Sequence, residues 1–348
     1  MSITIREIAK EAGVTISTVS KALNNRPGIS LPLKVRIEKT AQRLGYSPYV
    51  NARKTGMYAR STKYIGVIYA RAEQYLVDEI RTGIDSVLKN SRFNEIRYNV
   101  SIRAELHEEQ RKEFFLEKIL EDKNIVGLIC VFLNISDTMI ARLVKGNVPV
   151  VLLNNYTDYG RCVYIDNQDA FQKATEKLIQ LGHRHIGVIM PEESTEHVWR
   201  DRLLGYKTAL KEHGINYNPS LIVHQGSFIM KEAGFATKIL LELEPQTTAI
   251  LYGSDVQAYG GMKALQEMGR RIPEDIAVVG TDDLPFSCIS NPPLASISQP
   301  MRKMGETGTK ILLESIGKEK YSHKAVKLKT KLIPRKSLSQ DIPDEKWL

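Results

Sequence analysis

The sequence predicts a small all-α helix-turn-helix followed by two doubly wound α/β lobes, and three observations carry that prediction. The first is charge: residues 1–63 hold twelve lysines and arginines against three acids, whereas the other 285 residues hold 37 of each sign. The whole formal net charge of +9 therefore sits in less than a fifth of the chain, the footprint of a module that meets a polyanion. The second is a series of short, capped helical segments inside that same stretch. The third is the alternation of apolar strands with amphipathic helices from Tyr64 onward, the pattern of parallel sheets flanked by helices.

Within the basic stretch, Thr4-Ile5-Arg6-Glu7 has capping-box spacing: Thr4 accepts from the third helical amide and Glu7 reaches back to Thr4. Ile5, Ile8, Ala9 and Ala12 share one face of that helix, and Gly13 supplies the turn after it. Thr15 caps a second helix, Ile16 to Leu23, with Val19, Ala22 and Leu23 facing inward, and the Asn24 to Gly28 cluster ends it. Ser30 caps a third helix with Pro32 in its first turn; Val35, Ile37, Ala41 and Leu44 form its apolar side and Gly45 stops it. Two short helices across a glycine-containing turn, braced by a third, make a helix-turn-helix.

Beyond Tyr64, strands are expected at 65–69, 96–102, 126–132, 148–154, 186–190, 249–253 and 276–280, and helices at 77–88, 111–120, 170–180, 201–212, 233–243 and 256–267. A second series begins near Tyr164, and two series make two lobes. Ligands of open α/β sheets sit beyond the carboxyl ends of the strands, so a cleft between the lobes is the expected site. The domain plan is a helix-turn-helix at 1–48, a connecting segment at 49–62, a two-lobed core at 63–336 and a short tail at 337–348.

Several function classes are disfavoured. No apolar run approaches the ~20 residues of a membrane-spanning helix. The first residues lack a basic segment followed by an apolar one, so a secretory leader is not expected. Cys130, Cys162 and Cys288 are odd in number and show no CxxC spacing, which suits reduced thiols in a cytoplasm better than a disulfide framework. The nucleophile elbow GxSxG, the zinc motif HExxH, the phosphate loop GxxxxGK[ST] and a GxGxxG after the first strand are all missing. The expected protein is not an enzyme and takes no cofactor. His183 and His185 precede a strand with no third ligand nearby, so they read as structural rather than metal-binding.

The run from Thr4 to Asn24, TIREIAKEAGVTISTVSKALN, and Leu44-Gly45-Tyr46-Ser47-Pro48 after it resemble the N-terminal signature of the lactose/galactose repressor (LacI/GalR) family. Further stretches are similar to the same family: Asp166-Asn167, Leu181 to Ile186, Arg202 to Tyr206, Ile272 to Asp283, Asn291 to Leu294, and Ser298-Gln299-Pro300. The resemblance spans roughly residues 3–335. It implies a transcription regulator with a core of the periplasmic sugar-binding type, crossed three times between lobes, near residues 160, 290 and 320. Lobe 1 is then expected at about 63–160 and 292–319, and lobe 2 at about 161–290 and 321–336.

By resemblance, the second helix enters the major groove of double-stranded DNA, with Ile16, Ser17 and Lys21 at base edges. Lys21 donates to guanine, Ser17 to several bases, and Ile16 packs on a thymine methyl. Lys stands where the family often carries Arg, which weakens the case for bidentate guanine recognition. Thr4, Thr15, Thr18, Asn24 and Tyr46 match phosphate contacts, although Thr4 and Thr15 serve equally well as helix caps. After Pro48 the family carries a hinge that becomes helical on DNA and wedges an apolar side chain into the minor groove. Asn51 and Ala52 fall in that hinge. Counting from Tyr46 puts Thr55 at the wedge and anchoring on Asn51 puts Met57 there; only Met57 is apolar enough. A helix this short is below the ~12–15 residues at which an isolated helix is even marginal in water, so it orders only when two copies pack in the groove.

For the effector, the resemblance points to Asn154, Arg202 and Asp282 as holders of sugar hydroxyls, with Ser254 and Asp255 beside them, Phe228 as an aromatic lid and Tyr75 from the first lobe. Asn154 replaces a common Asp, and Asp255 at a strand end also reads as a helix cap. The implied assembly is a homodimer on a pseudo-palindromic operator. Only some dozen residues follow Arg335, without a leucine heptad, so no tetramerising coiled coil is expected.

Overall fold

The computed structural model describes residues 4–23, 28–44, 63–70, 73–99, 107–191, 197–224, 229–318 and 321–342. The chain divides into two compact units, 1–63 and 64–348.

In the first unit, helices α1 (Ile5–Ala12), α2 (Ile16–Leu23) and α3 (Leu31–Arg43) form around one small core. The expected capping box is present: the Glu7 amide donates to Thr4 Oγ1 at 3.4 Å, and the Thr4 amide to Glu7 Oε2 at 2.6 Å. Gly13 closes α1 with φ +63°, a left-handed conformation that glycine adopts without a Cβ penalty. Ile8, Ala9, Ala12, Val19, Ala22, Ile37 and Ala41 are buried together, the inward set that helical spacing requires. Arg36 donates to the Ala12 carbonyl at 3.0 Å and ties α3 to the end of α1.

The second unit holds two six-stranded sheets. The first uses β1 (Tyr64–Tyr69), β2 (Asn94–Asn99), β3 (Ile125–Val131), β4 (Val150–Leu153), β5 (Arg161–Ile165) and β11 (Lys324–Leu328), in the order β11-β5-β4-β3-β1-β2, all parallel. The second uses β6 (Ile186–Met190), β7 (Ile222–His224), β8 (Ala249–Tyr252), β9 (Ala277–Asp282), β10 (Ala295–Ser298) and β12 (Lys331–Ile333), ordered β12-β10-β9-β8-β6-β7 with only β12 antiparallel. Helices α4 (Gln74–Leu88), α5 (Glu108–Glu121), α6 (Asp137–Lys145) and α11 (Met301–Leu313) accompany the first sheet; α7 (Asn167–Gln180), α8 (His197–Glu212), α9 (Met230–Leu243) and α10 (Asp255–Glu267) accompany the second. Strands β4, β6, β8 and β9 are buried along their whole length and β3 at every residue but Val126, as sheets covered on both faces require.

The lobe boundaries differ from expectation. β5 pairs with β4 and β11 in the first sheet, so the first crossing follows residue 165 rather than lying near 160. β10 belongs to the second sheet and α11 packs on β3, β4 and β5 of the first, which moves the second crossing from near 290 to 299–300. The third lies between β11 and β12, at 329–330 instead of near 320. The strand expected at 96–102 is described only as far as Asn99. Helices α6 and α11 were not anticipated. α6 is capped by Ser136 and buries Ile140 and Leu143, while α11 carries Gly305 against α4, where a Cβ would stand 2.1 Å from the Ile80 carbonyl oxygen.

Among the described residues, no helix is long and apolar enough to cross a membrane. All three cysteines are free, and burial pushes the Cys130 thiol up to about 12.

Candidate DNA-reading face and effector cleft

On α2 the inward residues Val19 and Ala22 leave Ile16, Ser17 and Lys21 on the exposed side. Ile16 is 49% exposed, a β-branched apolar side chain that this small unit's core leaves uncovered. One helix face thus presents an apolar tip, a hydroxyl and an ammonium, the three chemistries that read a thymine methyl and base-edge donors and acceptors. Thr15 caps α2: the Thr18 amide donates to its Oγ1 at 3.1 Å, and the two hydroxyls lie 2.8 Å apart. Thr4 likewise caps α1 through its hydrogen bonds with Glu7, which hold the Glu7 carboxyl below its ordinary value. Asn24, Tyr46, Asn51, Ala52, Thr55 and Met57 lie outside the described residues, as does Phe228.

In the core, backbone geometry marks a region that the motifs also single out. Phe132 (φ +54°), Asn154 (+60°), Asp282 (+118°) and Asp283 (+55°) hold left-handed conformations that non-glycine residues rarely adopt. They sit at the carboxyl ends of β3, β4 and β9, where ligand sites of parallel sheets lie. The two lobes meet there: Leu284, Val256 and Tyr259 pack against the first lobe's apolar cluster. Tyr75, at the start of α4, has its hydroxyl pKa raised by burial, then by Glu79 and Asp283. Asp283 belongs to the second lobe, so Tyr75 lies within electrostatic reach of that lobe.

Arg202 is 5% exposed. Its Nε donates to Asn167 Oδ1 at 2.9 Å and its Nη1 to the Gly253 carbonyl at 2.7 Å. The guanidinium stands 5.1 Å from the centroid of Phe171 and 4.7 Å from that of Trp199, a cation held by π faces and neutral acceptors. Burial lowers its pKa to about 10, against the pull of Asp282. The Asp282 carboxyl is held well above its ordinary range, first by burial and then by Asp255, with Arg202 and Gln299 opposing. Gln299 Nε2 donates to Asp282 Oδ1 at 2.6 Å. A buried arginine and carboxyl suit neutral hydroxyl groups, each of which both donates and accepts.

Asn154 lines a pocket at the first crossing, with Asn155, Tyr156, Tyr164, Asn167 and Asp201 among its walls; its empty volume is about 280 Å³, part of it open to solvent. Sequence reasoning did not assign those five, nor Gln299. Asn167 and Gln299 stood inside recognised motifs, which was a usable signal; Asp201 carried none beyond preceding Arg202.

Ser254 and Asp255, expected beside the hydroxyl holders, both have structural partners. Ser254 accepts from the Gln257 amide at 3.2 Å and caps α10. Asp255 is fully buried, and its carboxylate accepts from the Leu284 amide (2.8 Å), Ser287 Oγ (2.5 Å) and Ser296 Oγ (2.6 Å). Its oxygens therefore hold the 284–296 segment and not a ligand. Burial raises its pKa to about 6 despite those donors. His183 shares a hydrogen bond of 3.0 Å with Thr248, and no metal-ligating group of three occurs among the described residues.

Two family models match the chain: bacterial regulatory proteins of the lacI family over residues 4–49, and the periplasmic binding protein-like domain over 175–338. Catabolite control protein A of Priestia megaterium is 30% identical over 341 residues, covering 97% of this chain and 99% of that one. The ribose operon repressor of Halalkalibacterium halodurans is 28% identical, covering 96% of each. Among solved structures, the transcriptional regulator CelR in complex with cellobiose superposes with a TM-score of 0.70 at 26% identity, covering 96% of this chain and 99% of that chain. The relatives are transcriptional regulators, and the match runs through both units.

Proposed function

The chain belongs to the LacI family of bacterial regulatory proteins, and from that premise we propose that it is a cytoplasmic, sequence-specific DNA-binding repressor of sugar-utilisation genes, controlled by a small molecule held between the lobes of its core. The observation that carries this reading is the exposed trio Ile16, Ser17 and Lys21 on α2, in a unit that holds the chain's whole excess of positive charge. Thr15 and Thr18 at the helix start offer hydroxyls for phosphate, fixing register while the trio reads sequence. Met57 is the proposed minor-groove wedge, and Asn24, Tyr46, Asn51 and Ala52 the further backbone contacts.

The effector proposal rests on Arg202, Asp282 and Asn154, with Tyr75 from the first lobe and Phe228 as the lid. Ribose and cellobiose appear in the names of two similar proteins, which favours a sugar. A homodimer completes the reading. Phe235, Ile239 and Leu243 form an exposed stripe at i, i+4 and i+8 on α9, and Phe286 and Ile289 are 65% and 58% exposed, apolar surface that a second copy would cover. Effector binding changes lobe closure, shifts the first lobes relative to each other and biases the hinge; occupancy moves only by the ligand's differential affinity for the two states. No catalytic step is assigned to the chain.

Thermal-shift screening of sugars, followed by operator binding with each hit at fixed salt, tests the reading. A sugar that raises Tm is expected to change affinity for the cognate duplex and leave random duplex unchanged. Equal grip on both duplexes, whatever the solute, contradicts it.

A further inference from the structure

The pocket at the first crossing carries a chemical bias that the sugar reading does not use. Asp201, on α8, is half-buried, faces that pocket, and makes no hydrogen bond or ion pair with another described residue. Each nearby cation has a partner, and the Lys327 ammonium also stands 5.9 Å from the centroid of the Tyr164 ring, a wall of the pocket. Arg200 donates to His197 Nδ1 at 2.6 Å, since a guanidinium has no acceptor. Lys327 lies 3.5 Å from Asp166, and Arg202 is held by Asn167 and Gly253. The pocket's remaining groups are primary amides, hydroxyls and π faces, which offer both donors and acceptors to a polyhydroxylated ligand. The amides of Asn154 and Asn155 make no side-chain hydrogen bond within the described residues, and neither does the Tyr164 hydroxyl. Tyr156 and Tyr164 meet edge to face at 5.1 Å, and the Tyr156 hydroxyl is directed to Asp158.

We propose that Asp201 sets the charge selectivity of this pocket, which takes a polyhydroxylated ligand bearing an ammonium group and turns away phosphorylated ones. An ammonium gains a charge-assisted hydrogen bond from the unpaired carboxylate, amide carbonyls for its other protons, and the faces of two tyrosines. A phosphate in the same place meets a like charge with no disengaged cation among the described residues to offset it. The inference rests on the reading of this cleft as the effector site.

The test uses the intact protein, thermal shift and calorimetry, and two matched sets: glucosamine, glucose and glucose 6-phosphate, and galactosamine, galactose and galactose 6-phosphate. In at least one set the amino member is expected to bind roughly tenfold or more tighter than the neutral one, with no response to the phosphate. Asp201→Asn should keep the wild-type Tm and abolish the preference, so that the amino and neutral members bind alike. Preference for a neutral or phosphorylated member, no binding by any member, or an unchanged preference in Asp201→Asn overturns the proposal. The two failures separate cleanly. A neutral sugar that binds and alters operator affinity leaves the regulator reading intact, whereas loss of sequence-specific DNA binding removes that reading whichever sugar binds.

Discussion

The two units of this chain concentrate chemistry in opposite ways. In the helix-turn-helix the informative side chains are close in sequence and exposed: Ile16, Ser17 and Lys21 occupy one face of an eight-residue helix. In the core the informative groups are buried, and their state is set by residues far away in the chain. Asp255 takes hydrogen bonds from serines 32 and 41 positions later, and Arg202 bonds across 35 and 51 positions. A reading head works by presenting groups to a partner, so its fold need only hold a face outward. A sensing cleft must hold charges in a partly dry site, so each charge needs a built environment.

That contrast predicts where substitutions hurt, and by how much. The largest effect is expected in the core at Gly305, where a Cβ would lie 2.1 Å from the Ile80 carbonyl oxygen. Gly305→Val should cost about 3 kcal/mol in chemical denaturation of the core, and amide-exchange protection of α1–α3 should be unchanged. A matching loss of protection in α1–α3 would break the view that the two units are stabilised separately.

Next comes the pH response of Asp255, whose pKa rises from 3.8 to about 6. A raised carboxyl favours folding while protonated, so its contribution is full below about pH 4 and is lost as pH climbs through about 6. Between those limits the wild-type core should lose on the order of 2–3 kcal/mol relative to Asp255→Asn. Parallel stability–pH curves for the two proteins would show that the carboxyl is not held as described.

At the reading face, Lys21→Ala should weaken cognate binding by about 2 kcal/mol, roughly thirtyfold, without moving Tm. An equal loss on random duplex would recast Lys21 as a phosphate contact. The smallest effect belongs to the cap. Thr4→Ala should lower the first unit's stability by about 1 kcal/mol. A DNA-affinity loss beyond that destabilisation would sharpen the picture by giving Thr4 a phosphate as well as a helix end.

The same contrast explains what the sequence disclosed. The capping box, the Gly13 turn and the inward set of the first unit depend on neighbours three to five residues apart, and local spacing reveals them. Arg202 and Asn154 were legible through motifs. The partners of Asp255 were not legible because nothing local shows that Ser287 and Ser296 return to it. β5 was placed in the wrong lobe because its partner β11 lies about 160 residues later. α11 went unseen because Gly305 and Gly308 dilute its helical pattern, the same glycines that let it approach α4 and β4 closely. Asp201 escaped because its distinction is to make no hydrogen bond or ion pair among the described residues, a property that exists only in three dimensions.

The most direct trial of the central claim is selection of duplexes from a random pool by the intact protein. The account predicts enrichment of a pseudo-palindrome with half-site centres about one helical turn apart, and loss of preference at symmetry-related positions for Lys21→Ala. Recovery of all sequences in equal proportion, by wild type and variant alike, would contradict it.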